Sequence, residues 1–460
     1  MLVRDAAYDS RSVPPGSIFF CIPGAALDGH AFAEQAVAAG ASALVVERQL
    51  ALDAPQVIVG SVRAAIGPMS AEVFGHPATK MTTVGVTGTN GKTTSTYLLE
   101  AVFRGAGWTP GVVGTTGVRI DGEPGPLART TPEAPDLQRL LARMLAAGVD
   151  AVAMEISSHA LAQHRADGVT LDVALFTNLS QDHLDFHGSM QKYFEAKAAL
   201  FTPTHARRGV VNADDPWGRR LLAGAVIPTT SFAVDEAAPV RASDVTLDER
   251  GLGFTVDGVE VRSPLHGRFN VHNCLGAFAV GRALDLSDRE IARAIASVPL
   301  VPGRMELVDA GQRFTVVVDY AHTPDSIHSV LRGARVPATG RVIVVFGCGG
   351  NRDRAKRPLM GHAATDEADL TIVTSDNPRS EDPAAIIDEI VVGIPNGRAY
   401  RVEPDRAAAI ALAIDEALDG DVVVIAGKGH ETYQEVDGAV LPFDDRLVAR
   451  AAILTRTGER

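Results

Sequence analysis

Short apolar runs of about five residues recur along this chain. Most of them stop at a polar or glycine-rich tip, and a helical pattern follows. From residue 81 this order is regular. The run 81–86 leads into a glycine-punctuated turn. A helix then opens at Gly91-Lys92-Thr93-Thr94 and carries Tyr97, Leu98, Leu99 and Val102 to Gly105. The run 151–156 ends with Glu155, Ser157, Ser158 and His159, the run 171–176 ends at Thr177-Asn178, and the run 209–211 ends at Asn212-Ala213-Asp214-Asp215. Such runs predict buried, mostly parallel strands, whose ligands bind beyond the strands' carboxyl ends. Before residue 62 the pattern is smaller and mixed, with strands predicted at 17–22 and 43–47 and a helix at 31–39. Val62–Phe74 reads as a helix closed by Gly75-His76-Pro77 and leading into the next unit. Residues 231–264 alternate around an Asp-Gly turn, which predicts an antiparallel appendage with strands at 254–256 and 259–261. After Pro302-Gly303-Arg304 a second series begins, with runs at 314–318, 342–346, 370–374 and 422–425. The expectation is an α/β chain of three units, 1–61, 62–303 and 304–460.

The turn after residue 86 carries the first chemistry. Gly88, Thr89, Asn90 and Gly91 would let backbone N–H groups approach phosphates, and the helix start at Lys92, Thr93 and Thr94 favours negative charge. Lys92 can reach the terminal phosphates, and the Thr93 hydroxyl can hold Mg²⁺. The strict phosphate-loop pattern has a glycine where this chain has Val86, so the physical context matches better than the letters do.

Composition narrows the class. The net charge of −13 argues against a nucleic-acid or lipid-headgroup partner, and it requires that cations be concentrated locally if the ligands are anionic. Three widely spaced cysteines, Cys21, Cys274 and Cys348, suggest free thiols in a reducing compartment. No apolar run reaches the roughly 18 residues of a membrane span, and the start of the chain lacks a secretory pattern. A cytoplasmic protein is expected.

Three further residues stand at informative places. Glu155, at a strand tip, can complete a Mg²⁺ shell beside a phosphate loop. His183 lies in Gln181-Asp182-His183-Leu184-Asp185, where a lone histidine is more often structural. Lys197 sits on a predicted helix, and composition alone favours a snorkelling surface lysine there.

The segments TGTNGKTT, MEISSHAL, TNLSQDHLDFHG, the Lys197 helix, HGRFNVHNCLGA, PGRME, DYAHTPDS and GKGHETYQ occur in the order seen in the Mur ligase family, and the resemblance runs from Asp9 to Glu431. It implies a three-domain α/β architecture with a central P-loop ATPase domain and a Rossmann-like C-terminal domain. The implied activity is ATP-dependent amide formation on the peptidoglycan stem peptide, by a protein expected to be a monomer. Within the family the chain looks like the members that add meso-diaminopimelate to a UDP-N-acetylmuramoyl dipeptide. Ser10, Thr130, Thr131, Ser157, Gln163 and Arg165 resemble contacts to that UDP-linked substrate, and residues 24–30 resemble part of its uridine diphosphate site. Asn270, Arg304 and Asp319 resemble residues around the nucleotide, with Asp319 facing either the ribose or the hinge. Arg352, Asp376, Asn377, Pro378, Arg379, Gly427 and Glu431 resemble the diaminopimelate site.

The family's chemistry accounts for these residue types. Phosphorylating the substrate carboxylate gives an acyl phosphate, which an amine attacks with loss of phosphate. One Mg²⁺ held by Thr93 and Glu155, and a second held by Glu155, His183 and Lys197, would offset the charge. In the family the matching lysine is carbamylated, and the same is expected of Lys197. Diaminopimelate is lysine with a distal carboxylate, for which Arg379 offers a planar fork, although alone it reads as a surface arginine after an Asn-Pro turn. Competing readings are a lysine-adding ligase of the same fold, a folylpolyglutamate synthase, and a phosphate-loop switch that makes no amide.

Overall fold

The computed structural model describes residues 3–24, 27–248 and 250–458. Residues 25 and 26, inside the segment expected to meet uridine diphosphate, lie outside the described residues. The N-terminal unit is a parallel four-stranded sheet in chain order, Asp5–Ala7, Ser17–Phe20, Ala43–Val46 and Gln56–Ile58. The helix Val62–Phe74, expected to lead into the central unit, also packs on this sheet. Val62 and Ile66 are fully buried with Ile18, Phe20 and Val45, and Ala134 of the central unit joins the same cluster. The apolar face of this helix therefore completes the N-terminal core and forms the seam with the next unit.

The central sheet has nine strands. Thr82–Thr87 lies inside it, between Leu171–Phe176 and Ala151–Glu155, and pairs parallel with both. Apolar side chains alternate to two faces. Leu98, Leu99, Val102 and Phe103 of the helix Lys92–Gly105 cover one face together with the helix Arg268–Ala283, while Leu137, Leu141 and Met144 of the helix Ala134–Ala146 cover the other. The edge beyond Pro110–Gly114 turns antiparallel through Gly117–Ile120 and Glu123–Gly125, strands that the apolar pattern did not announce.

The expected appendage is smaller than predicted. Thr229–Ala233 and Val240–Arg241 continue the parallel central sheet, so only Ser243–Asp248, Gly251–Val256 and Val259–Ser263 form a separate antiparallel sheet. The run at residues 229–233 reads as polar and short, but Phe232 and Ala233 are buried at its inner end.

The C-terminal unit is a six-stranded sheet in the order Glu306–Leu307, Thr315–Asp319, Val422–Ala426, Val342–Phe346, Leu370–Val373 and Tyr400–Val402, parallel except at its first strand. A two-stranded hairpin, Tyr433–Val436 with Ala439–Pro442, stands beside it. Among the described residues no helix is long and apolar enough to cross a membrane.

Candidate active site

A cleft of about 1390 Å³ opens where the carboxyl ends of the central strands face the C-terminal unit. The loop after Thr82–Thr87 forms one wall. Its glycines are there for close approach. Gly88 and Gly91 have φ of +150° and +88°, and a Cβ would lie 1.9 Å from Thr177 Oγ1 at the first and 2.3 Å from Asn273 Oδ1 at the second. The neighbouring strand tip pins the loop. Thr89 N donates to the Asn178 carbonyl at 2.9 Å, and Asn90 N donates to Asn178 Oδ1 at 2.9 Å. The Thr89 hydroxyl donates to the Ser180 carbonyl at 3.1 Å. Thr93 and Thr94 are buried at the start of the helix, where unpaired N–H groups and the helix dipole attract an anion.

Two lysines converge on this loop. Lys92 Nζ donates to the Gly88 and Thr89 carbonyls at 2.9 and 2.8 Å, and Lys197 Nζ donates to the Gly88 carbonyl at 2.8 Å. Lys197 is 1% exposed, which corrects the surface reading. The face of the helix Met190–Ala198 that carries Tyr193 and Lys197 turns inward, and the ammonium sits 4.8 Å from the Tyr193 ring. Burial pulls the pKa of both lysines down, that of Lys197 well below the ordinary value, with the nearby Lys92 charge adding to the effect.

Strand register brings Glu155 to the same loop, since Val86 pairs with it across the ladder. Its carboxylate accepts from Thr115 N and Thr115 Oγ1, each at 2.9 Å, and its carbonyl accepts from Thr131 Oγ1 at 2.8 Å. Thr130 Oγ1 lies 3.1 Å from Thr115 Oγ1, and Ser157 N donates to Thr131 Oγ1 at 3.1 Å. His183 adopts φ +55° before a short helix, and its ring stands edge-on to His159 at 4.7 Å. Burial lowers its pKa to about 3, so the imidazole is neutral at ordinary pH.

Sequence reasoning missed the residue beside it. Asp182 is buried 3.4 Å from His183 Nε2, 3.6 Å from His322 Nε2 and 3.2 Å from Lys356 Nζ. The last two belong to the C-terminal unit, so one central carboxylate ties the two units together. Burial pushes the Asp182 pKa up, but the His322 ring and the Lys356 charge beside it outweigh burial and hold the group well below the usual carboxylate range. The only signal in the sequence is that Asp182 adjoins His183.

At the junction, Arg304 Nη2 donates to Thr93 Oγ1 at 3.1 Å, and the guanidinium lies 4.4 Å from the centroid of the Tyr320 ring. Asp319 faces the hinge: its carboxylate accepts from Met305 N at 2.7 Å and from Ala321 N at 2.8 Å. Asn270 Nδ2 donates to the His266 carbonyl at 2.7 Å, and Asn270 Oδ1 accepts from Asn273 at 2.8 Å beside Gly91.

The opposite wall comes from the C-terminal strand tips. Asn377 Oδ1 accepts from Lys428 Nζ at 2.9 Å, and Asn377 Nδ2 donates to Glu431 Oε2 at 2.9 Å. Burial and the nearby Asp376 raise the Glu431 pKa. Gly427 N donates to the Asp319 carbonyl at 3.0 Å, and the Pro378 carbonyl accepts from Glu381 N at 3.0 Å. Arg352 and Arg379 line the cleft, and Arg379 is mostly covered rather than a free surface arginine.

Some expected residues do not meet this cleft. Ser10 Oγ donates to Gln35 Oε1 at 3.1 Å on the exposed N-terminal unit. Gln163 accepts from Arg165, whose Nε lies 3.0 Å from Glu133. Glu133 also takes Arg63 and Arg129, each at 2.7 Å, at the seam between the first two units. The four expected metal donors each face protein: Thr93 meets Arg304, Glu155 meets Thr115, His183 lies against Asp182, and Lys197 meets Gly88. Among the described residues, the groups of three His, Cys, Asp or Glu close enough to share an ion include none of these donors: one is Asp214, Asp235 and His272, of which Asp214 and His272 line the cleft, and the other is His328, Asp366 and Glu367.

Comparisons with known proteins bear on the whole chain. Residues 6–75 match the model of the Mur ligase family catalytic domain, residues 86–281 the Mur ligase middle domain, and residues 303–429 the Mur ligase glutamate ligase domain. The UDP-N-acetylmuramoyl-L-alanyl-D-glutamate--2,6-diaminopimelate ligase of Geobacillus thermodenitrificans is 47% identical over 97% of this chain and 94% of its own length. A solved structure of a protein with that ligase name is 34% identical, covers 99% of this chain and 95% of its own, and superposes with a TM-score of 0.71. The MurF ligase of Thermotoga maritima in complex with ADP is 18% identical over 99% of this chain and 97% of its own, with a TM-score of 0.66, and shares the fold. On these matches, which span all three units, the chain belongs to the Mur ligase family.

Proposed function

We propose that this chain is the ATP-dependent ligase that joins meso-2,6-diaminopimelate to UDP-N-acetylmuramoyl-L-alanyl-D-glutamate in peptidoglycan precursor synthesis, acting in the cytoplasm as a monomer. The observation that carries this reading is the pairing of the two cleft walls. A phosphate loop with Lys92 faces Arg379, Asn377 and Glu431 across one cleft.

The loop N–H groups and Lys92 receive the triphosphate, and Arg304 reaches the same helix start from the hinge. The substrate carboxylate enters beside Thr115, Thr130 and Ser157, and attacks the terminal phosphorus to give an acyl phosphate and ADP. Arg379 takes the distal carboxylate of diaminopimelate, while Glu431 and Asn377 hold its near end. The free amine attacks the acyl carbon, phosphate leaves, and the amine proton passes to solvent. The Asp182 tether keeps the walls together and excludes water from the acyl phosphate.

The oxygen donors of Thr93 and Glu155 suit Mg²⁺, whereas the Lys197 ammonium does not. Lys197 fits a second site with Glu155 and His183 only as a carbamate, formed from its neutral amine and CO₂ with release of a proton. Its burial favours that neutral amine. When bound, Mg²⁺ supplies charge neutralisation on the β- and γ-phosphates.

The test is ADP release by purified protein. Turnover is expected only with both the UDP-linked dipeptide and meso-diaminopimelate present, with a product heavier by one diaminopimelate less water. ADP release that needs neither co-substrate would overturn the reading in favour of a nucleotide switch, and equal use of L-lysine would overturn the amino-acid assignment.

A further inference from the structure

We propose that Glu435, on the hairpin Tyr433–Val436, is a positioning residue that aims the Arg379 guanidinium and so sets selectivity for an amino acid with a distal carboxylate. This rests on the reading of Arg379 given above. Arg379 has φ +54°, an uncommon conformation for a residue other than glycine, and the hairpin holds it there. Arg379 N donates to the Glu435 carbonyl at 3.0 Å, and Asp437 N donates to the Arg379 carbonyl at 2.6 Å. Glu435 N in turn donates to Asn377 Oδ1 at 3.0 Å, so the hairpin grips both residues of the same wall.

The side chain is braced on two edges. Arg379 Nη1 donates to the Gly350 carbonyl at 2.7 Å, and Nε lies 3.2 Å from Glu435 Oε2. Among the described residues, Nη2 makes no hydrogen bond to protein, which leaves its N–H groups for a ligand. Arg379 lines the cleft and Glu435 does not, so the carboxylate supports the fork from the hairpin side. A guanidinium held in plane on two edges presents its remaining N–H groups to a carboxylate without first losing rotamer freedom.

Steady-state kinetics of the full chain test this. Glu435→Ala is expected to raise KM for meso-diaminopimelate roughly tenfold, as for loss of one oriented charge-assisted contact. KM for ATP and for the UDP-linked dipeptide should not move, and discrimination against L-lysine should fall. Glu435→Gln keeps an acceptor oxygen and should restore most of the lost KM. In an Arg379→Ala background, Glu435→Ala should add nothing. The proposal is overturned if Glu435→Ala leaves KM for diaminopimelate and the lysine discrimination unchanged, as for an ordinary exposed ion pair, or if it costs as much with Arg379 absent. Failure of the parent reading is seen separately, as wild-type protein that makes no product from diaminopimelate.

Discussion

At the scale of single residues, the site is built from groups whose burial would be unfavourable without a task. Lys197 is a long cationic side chain at 1% exposure with one carbonyl as its hydrogen-bond partner. An ammonium so placed loses hydration with little return, and the group favours its neutral form. That neutral amine is the form that captures CO₂. Intact-mass or peptide analysis of active protein is therefore expected to find one added carboxyl group at Lys197. Lys197→Ala should lose activity by more than about a hundredfold, as for removal of a group that stabilises developing charge. Full activity in Lys197→Ala would remove the assignment.

At the scale of elements, strand register does most of the positioning. The central order places Thr82–Thr87 between Leu171–Phe176 and Ala151–Glu155, so the loop, Thr177-Asn178 and Glu155 emerge side by side. Asn178 is the link, because it accepts from Asn90 N at 2.9 Å and donates from its own amide to the Asn90 carbonyl at 3.1 Å. Asn178→Ala should raise KM for ATP roughly tenfold, the equivalent of one or two net hydrogen bonds, with little change in KM for the amino acid, and titration with a fluorescent ATP analogue would check it. Much of this arrangement was legible in the sequence. Apolar runs with polar tips gave the parallel strands, and Gly91-Lys92-Thr93 gave the helix start. Glu123–Gly125 and the hairpin at Tyr433 escaped because exposed strands carry no continuous apolar run, and Gly117–Ile120, though buried, is short and interrupted by Arg119. Lys197 was misread from composition, since no single position reveals which face of a helix turns inward. Asp182 and Glu435 were missed because their partners, Lys356 and Arg379, lie 174 and 56 residues away in the chain and meet them only in three dimensions.

At the scale of the whole molecule, the first two units meet along an apolar seam, while buried polar contacts tie the central unit to the C-terminal one. Asp182 with Lys356 is the most enclosed of them, with side chains 5% and 7% exposed. Lys356→Met leaves Asp182 without its nearest cation in a buried setting, where breaking a pair costs about 3–5 kcal/mol. His322, 3.6 Å away, remains as a partial substitute. The expected result is a wider separation of the central and C-terminal units in small-angle scattering, with a matching fall in kcat/KM. An unchanged scattering profile and unchanged turnover would show that other contacts hold the two units.

Because Lys92 and Lys197 lean on the same Gly88 oxygen, their fates are linked. The proposed conversion of the Lys197 amine into an anionic carbamate would place an attractive charge beside Lys92 and leave Lys92 free to hold a phosphate. If the proposed carbamate forms on Lys197, thermodynamic reciprocity requires dissolved carbon dioxide to strengthen nucleotide capture by the same factor by which nucleotide strengthens retention of the gas. On that reading, the supply of a small neutral molecule would act as a dial on how much of the population is ready to work.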